Sequence, residues 1–325
     1  MSAPALFPRH IAVLILALLA CSFAGNHIAA RIAFDHDTGL LLAILCRSGV
    51  TLLVLVSLVL WQREKLSLPA STWRWQLLLG LLIATQSFCI YSAVARIPVA
   101  LALLVVNVSP ILLALLTWAL GGARPTRRAA GLMALILFGL TLDVPQRLSN
   151  PGSSEPQWLE GIVYAFTAAV VFAFALWITD NKLASMRGTV RSMLTMVVVF
   201  AAAALAGASG LLPGGVDLPA SRIGWTALAS LVVLYGLGFS LLFICMARLD
   251  IARNAPVMNI EPVASLLFGW LILDQLLSSG QVIGGLIVVS GIVLLTWRRA
   301  TPSASQPSSP SSKKVLHHAR ERTDP

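Results

Sequence analysis

Long apolar blocks separated by short polar stretches run along almost the whole chain. Ten windows reach the roughly 20 residues that a helix needs to cross a bilayer: about 11–33, 39–61, 75–95, 98–120, 128–145, 158–179, 190–211, 223–246, 252–273 and 281–298. The pattern predicts an all-α integral membrane protein of ten transmembrane helices. Most polar stretches are short, some of only a few residues, so no soluble domain fits between the spans. The exception is the segment from Pro145 to Gln157, whose three prolines, glycine and polar residues read as an exposed external linker.

The two sides of that linker are copies of each other. Ala95-Arg96-Ile97, Asn107, Pro110 and Trp118 recur as Ala247-Arg248-Leu249, Asn259, Pro262 and Trp270, every match at an offset of 152 residues. Residues 1–152 then form a first five-helix repeat with the linker, 153–298 a second, and 299–325 a tail. Because five is odd, the second copy must enter the bilayer from the opposite side. This is the inverted-repeat plan of secondary transporters.

Composition agrees, since 58% of residues are hydrophobic and only 11% charged, too little polar surface for a soluble protein of this length. Cytoplasmic loops keep an excess of Lys and Arg, and with the N-terminus inside the count is one-sided. The inner side holds Arg9, Arg63, Lys65, Arg74, Arg124, Arg127, Arg128, Lys182, Arg187, Arg191, Arg248, Arg253 and the basic residues from Arg298 to Arg322. The outer side keeps Arg31, Arg47, Arg96, Arg147 and Arg222 among seven acids. Both termini are therefore expected in the cytoplasm, with the chain multi-pass in the inner (plasma) membrane.

The net charge of +10 does not point to nucleic acid, because the basic residues are scattered over short loops. Anionic lipid of the inner leaflet is the simpler partner. The Ser- and Pro-rich stretch after Arg299 has little to bury and is expected to be a disordered, basic cytoplasmic tail. Cys21, Cys46, Cys89 and Cys245 fall within apolar spans without the spacing of a disulfide frame or zinc site. They read as packing residues, and no metal or cofactor is expected. Leu18-Leu19-Ala20-Cys21 has the look of a lipoprotein cleavage site, but the apolar run continues to Phe34, which argues against processing there.

Glu261 is the carboxylate placed near the middle of a span. An ionised carboxyl at the bilayer centre costs about 2.5–3.5 kcal/mol, tolerable when the group is protonated, paired or facing water. It is the candidate to carry a proton or meet a substrate, with a simple helix-capping hydrogen bond as the alternative. Pro262 follows it, displacing the carbonyl of Met258 and kinking the helix. Pro110 repeats the device and frees the carbonyl of Val106, so two kinks would flank one central cavity. Glu261 shares a helix face with Ser265. Asn259 points about 160° away, so Asn107 and Asn259, present in both halves, read as structural polar residues.

Asn26, His27 and Arg31 cluster towards the outer end of the first span, and His27 is either a proton-coupled group or a polar helix contact. Arg31, Arg47 and Arg191 admit a snorkelling reading, with orientation as the role. Gln86, Tyr91, Trp177 and Tyr235 are candidates for an amphipathic lining that would hold an organic or cationic solute, packing being the alternative. Trp118 and Trp270 fit interfacial belts. Gly131, Gly139, Gly284 and Gly291 mark the last span of each half, fitting close packing within the repeat or a homodimer contact.

The segments YSAVARIPVALALLVVNVSPILLALLTWAL and ICMARLDIARNAPVMNIEPVASLLFGWLIL, each followed by a short loop and a Gly-spaced helix, resemble the drug/metabolite transporter superfamily in its ten-helix EamA branch. Gly25-Asn26 and Cys46-Arg47 add to the likeness, which spans roughly residues 11–298. It implies two inverted five-helix halves around a cavity open alternately to each side, moving amino acids, metabolites, nucleobase-like or toxic organic compounds. The family often carries an acid after the fourth and ninth spans. Asp274 fits the second place, while Gly122-Ala123-Arg124 leaves the first without one.

The expectation is a secondary transporter of small organic metabolites or drugs working by alternating access, an exporter rather than an importer because no dedicated ion-binding cluster is visible. Proton coupling through Glu261 and facilitated movement down a gradient both remain open. An intramembrane enzyme would need a nucleophile with its base or a ligand cluster, and His27 is alone among the spans. A membrane sensor or assembly protein is the other alternative.

Overall fold

A computed structural model describes residues 6–63, 72–122, 155–210, 215–245, 248–249, 260–275 and the single positions 131, 257, 283, 286 and 290. Within them the chain is helical, with no strand among the described residues. The helices are α1 (Arg9–Phe34), α2 (Leu40–Trp61), α3 (Trp73–Arg96), α4 (Val99–Val106), α5 (Ser109–Ala119), α6 (Glu155–Asn181), α7 (Gly188–Ser209), α8 (Arg222–Cys245) and α9 (Ile260–Leu273). Seven apolar helices are long enough to cross a bilayer when the broken Val99–Ala119 pair is counted as one, and Val263–Leu273 is a shorter apolar helix. Apart from positions 131, 283, 286 and 290, the expected fifth and tenth spans lie outside the described residues, as do most of the linker and the C-terminal tail.

Helix is the form these sequences must take in lipid, where every backbone N–H and C=O has to be met within the segment itself. The outer surface is apolar to match. Leu53, Leu205 and Leu237 are 68%, 71% and 62% exposed, an exterior that water would not tolerate on helices apolar all round. Inside, small residues let helices close up: Gly80 lies against Val198 and Gly161 against Ile97, where an added Cβ would clash. α7 ends on Gly210 in the left-handed conformation at φ 63°, a place where glycine carries no steric cost.

Contacts fix the relative directions of six of these helices. Phe7 N–H bonds to the Arg248 carbonyl at 3.0 Å, while at the other end of α1 and α8 Ala220 N–H bonds to the His36 carbonyl at 3.2 Å. These two helices are antiparallel. So are α3 and α6, with Lys182 over the Trp75 ring at one end and Arg96 on Glu160 at the other. α2 and α7 are antiparallel as well, because Gly39 N–H bonds to the Asp217 carbonyl just beyond α7 while Gly49 meets Phe200. In contrast α1, α3 and α7 run the same way: Asn26 meets Tyr91, Arg31 meets Val94, and Gln76 meets Arg191 and Thr195.

It follows that α1, α2 and α3 run opposite to α6, α7 and α8, their counterparts in the second half. The packing between the halves repeats the same relation. α1 lies on α8 as α6 lies on α3, α2 on α8 as α7 on α3, and α1 on α9 as α6 on α4 and α5; α2 with α7 and α4 with α9 pair across the axis. One architecture, two inverted copies, accounts for all of these contacts.

The fourth span is broken rather than bent. α4 ends at Val106, Asn107 caps it with Nδ2 on the Leu103 carbonyl at 2.7 Å, and α5 starts at Ser109 with Pro110 in its first turn. A proline is tolerated there because the missing N–H is one that a helix start leaves unbonded anyway. The Val106 carbonyl accepts a hydrogen bond from Ser109 Oγ, a partner from the chain itself. In the second half α9 opens at Ile260 with Glu261 in its first turn and Pro262 next. Glu261 thus stands where Ser109 stands in the first half.

Candidate functional site

Arg47 is the centre of the described interior. It lies eight residues into α2, about 10 Å along the axis from the helix start, and is only 4% exposed. That corrects the snorkelling reading, because a snorkelling arginine keeps its charged head in water and this one is enclosed by protein. Its Nη2 donates to Ser87 Oγ at 2.7 Å. Its guanidinium carbon stands 4.8 Å from the centroid of the Tyr91 ring and 4.3 Å from that of Tyr235, so one tyrosine from each half of the protein faces the same cation.

Tyr91 is fully buried and donates its hydroxyl to Asn26 Oδ1 at 3.3 Å. Its ring also meets the edges of His27 and Phe34, with centroids 6.1 and 5.5 Å away. Tyr235 packs with Phe239 at 4.7 Å and Phe23 at 6.0 Å. α1, α2, α3 and α8 therefore each bring a polar or aromatic side chain to one place. His27 and Tyr235 are both half-buried.

Charge in this group is unbalanced. Among the described residues the ion pairs are Arg31 with Asp35 and Arg96 with Glu160, and neither involves Arg47. A buried ion without a counter-charge costs several kcal/mol; two desolvated cation-π contacts return about 2 kcal/mol each. Three buried polar atoms here have no hydrogen-bond partner: Arg47 Nε, Asn26 Nδ2 and His27 Nδ1. The arrangement is a cation beside an unpartnered amide N–H group and an unpartnered imidazole nitrogen, flanked by rings.

Glu261 is half-buried in the first turn of α9 and within electrostatic reach of Tyr235. A helix N-terminus favours a carboxylate by about 0.3–1 kcal/mol. Ser265, one turn on, is fully buried. The expected residues thus fall into separate places. Asn26, His27, Tyr91 and Tyr235 come together, and Glu261, one turn before Ser265, is within electrostatic reach of Tyr235. Gln86 is half-buried on α3 beside Ser87. Trp177 is at the far end of α6, where its ring lies 5.5 Å from the Lys182 ammonium, away from Arg47. Asn107 serves the end of α4, Pro110 and Pro262 lie in first turns, and Asn259 is outside the described residues.

Two members, Arg47 and Ser87, were not among the expected site residues. For Arg47 the signal was its depth in the span, two turns rather than one. Ser87 carried none, being one hydroxyl among many. The cysteines are free, Cys89 and Cys245 buried. Among the described residues no three His, Cys, Asp or Glu side chains group as metal ligands would.

Two inverted copies of an apolar helical bundle, meeting around a polar and aromatic interior, define a membrane transporter. The match of the EamA-like transporter family to residues 10–143 and 159–297 makes the family plain: the chain belongs to it, and its members are transporters and not enzymes. One solved crystal structure superposes with a TM-score of 0.60 at 22% identity, covering 90% of this chain and 100% of that one. That likeness carries the fold alone. No curated protein matches the chain.

Proposed function

We propose that the protein exports small organic solutes across the inner membrane by alternating access, with both termini cytoplasmic and Glu261 carrying a proton during the cycle. The observation that carries this reading is the composition of the Arg47 group. α1, α2 and α3 come from one half and α8 and α9 from the other, and the halves are inverted. Rocking one half against the other opens a shared site first to one face and then to the other. Export is favoured over uptake because no dedicated ion-binding cluster is visible in the sequence. The basic loops at Arg63 and Arg187 support the cytoplasmic placement of the termini.

Reconstitution tests it. Purified protein in liposomes, loaded with metabolites extracted from cells that lack the protein, should release a defined subset of them, faster when a proton gradient is imposed inward. A protein that folds, inserts and releases nothing would favour a sensor or assembly role. Cysteine labelling checks the orientation: a cysteine at Asn150 must be reached from outside the cell and one at Arg187 from the cytoplasm.

A further inference from the structure

We infer that the group over Arg47 is the seat of a carboxylate, so that the solute is an organic monoanion with its acid end on Arg47 and Asn26 and an apolar body against Tyr235 and Phe239. This names a substrate class for the transporter reading and rests on it. The orphaned atoms carry the argument. Arg47 Nε and Asn26 Nδ2 are donors without an acceptor, both on side chains more than nine-tenths buried. They belong to residues that both touch Tyr91, Asn26 at its hydroxyl and Arg47 over its ring, and a ligand group seated beside that ring is the one we infer meets both.

A carboxylate offers what is missing: two acceptor oxygens and one negative charge for one positive one. Water in place of the ligand would meet the donors but leave the charge uncompensated. A cationic solute would face the guanidinium, and a neutral one would leave its charge unanswered. A phosphate, with nearly two negative charges, finds a single cation already flanked by two rings. The rings beside Arg47 continue from Tyr235 into Phe23 and Phe239, meeting at 4.7–6.0 Å, which suits a flat apolar body. Glu261 pairs with no described cation and so leaves the guanidinium open.

The test is binding, measured by calorimetry on the full-length protein in lipid nanodiscs, with three probes of one shape: phenylacetate, phenylacetamide and phenethylamine. Phenylacetate should bind at least about tenfold tighter than the amide, and the amine more weakly than either. Arg47→Gln and the near-isosteric Asn26→Asp should each abolish the preference for the anion. Arg47→Lys, which keeps the charge but loses the planar fork, should retain part of it, and Glu160→Gln at the rim should retain all of it. If Arg47→Gln does not fold, Asn26→Asp and Arg47→Lys carry the test.

Equal affinity for anion and amide in the wild type, no binding of the anion, or a preference that survives Asn26→Asp would each overturn the inference. Binding is read apart from movement, so the two proposals fail separately. Phenylacetate that binds with the expected preference while liposomes release no solute would remove the transporter reading and leave the anion seat. Release of neutral or cationic solutes by a protein indifferent to phenylacetate would do the reverse.

Discussion

Arg96 and Arg47 both lie over a tyrosine, 5.0 Å from the Tyr164 centroid and 4.3 Å from that of Tyr235. Arg96, at the rim where α3 ends, also holds Glu160 at 3.0 Å. Arg47, in the interior, has a serine hydroxyl and a second ring but no carboxylate among the described residues. At the rim the charge is closed within the protein, and water shares it through partly exposed side chains. In the interior it is left open. A closed pair joins two helices, whereas the interior cation and the unpartnered nitrogens beside it are what the carboxylate-seat proposal rests on.

The largest effect should come from removing the open charge. Arg47→Gln is expected to lower counterflow of an anionic solute by about a hundredfold, since losing one partner of a buried charged contact costs 2–5 kcal/mol or more. Insertion and thermal stability, followed in parallel, should fall far less. Transport of the anion at the wild-type rate would make Arg47 a packing residue, no different from Arg96.

Glu261→Gln keeps size and hydrogen bonding while removing ionisation. Release driven by a proton gradient should drop about tenfold or more, on the scale of a lost proton-transfer group, and the remaining rate should no longer vary with pH. Asn259→Ala is the control, expected to reduce folded yield more than solute affinity. A normal pH profile in Glu261→Gln, with selective loss of binding in Asn259→Ala, would move the site to the asparagine face.

Pro110→Ala restores a backbone donor at the start of α5, where the Val106 carbonyl is already taken by Ser109. A continuous helix would compete with the break, so exchange between inward-open and outward-open states should slow several-fold while expression holds. Unchanged rates would mean that the break at Asn107 and Val108 is fixed by packing alone. The smallest effect belongs to the rim. Glu160→Gln opens a partly exposed pair worth about 0–1 kcal/mol, so transport should stay unchanged and the melting temperature shift by a few degrees at most. A transport loss matching that of Arg47→Gln would erase the contrast between the two arginines.

Sequence by itself determined the solvent, the duplication and the family. Runs of some 20 apolar residues leave lipid as the only medium that accepts them, and an offset of 152 residues shared by four motifs leaves little but duplication to explain it. Inversion followed from the parity of the spans, and the opposed directions of α1, α2, α3 and α6, α7, α8 are its structural counterpart. These are properties of order along a chain, which a reader of sequence can count.

Which polar residues meet was decided only by tertiary structure. Asn26, Tyr91 and Tyr235 were legible as candidates, one by one, because polar and amphipathic side chains in apolar spans stand out. Nothing in their spacing put Tyr235 of the second half opposite Tyr91 of the first, and Trp177, equally eligible on paper, went to Lys182 at the end of its helix. Arg47 was misjudged because a basic residue early in a span reads as an interface anchor when only its distance from the helix end is considered. The packing of α1, α3 and α8 around it decided otherwise: enclosed by side chains from three neighbours, a guanidinium two turns deep is 4% exposed and makes its contacts inside the protein.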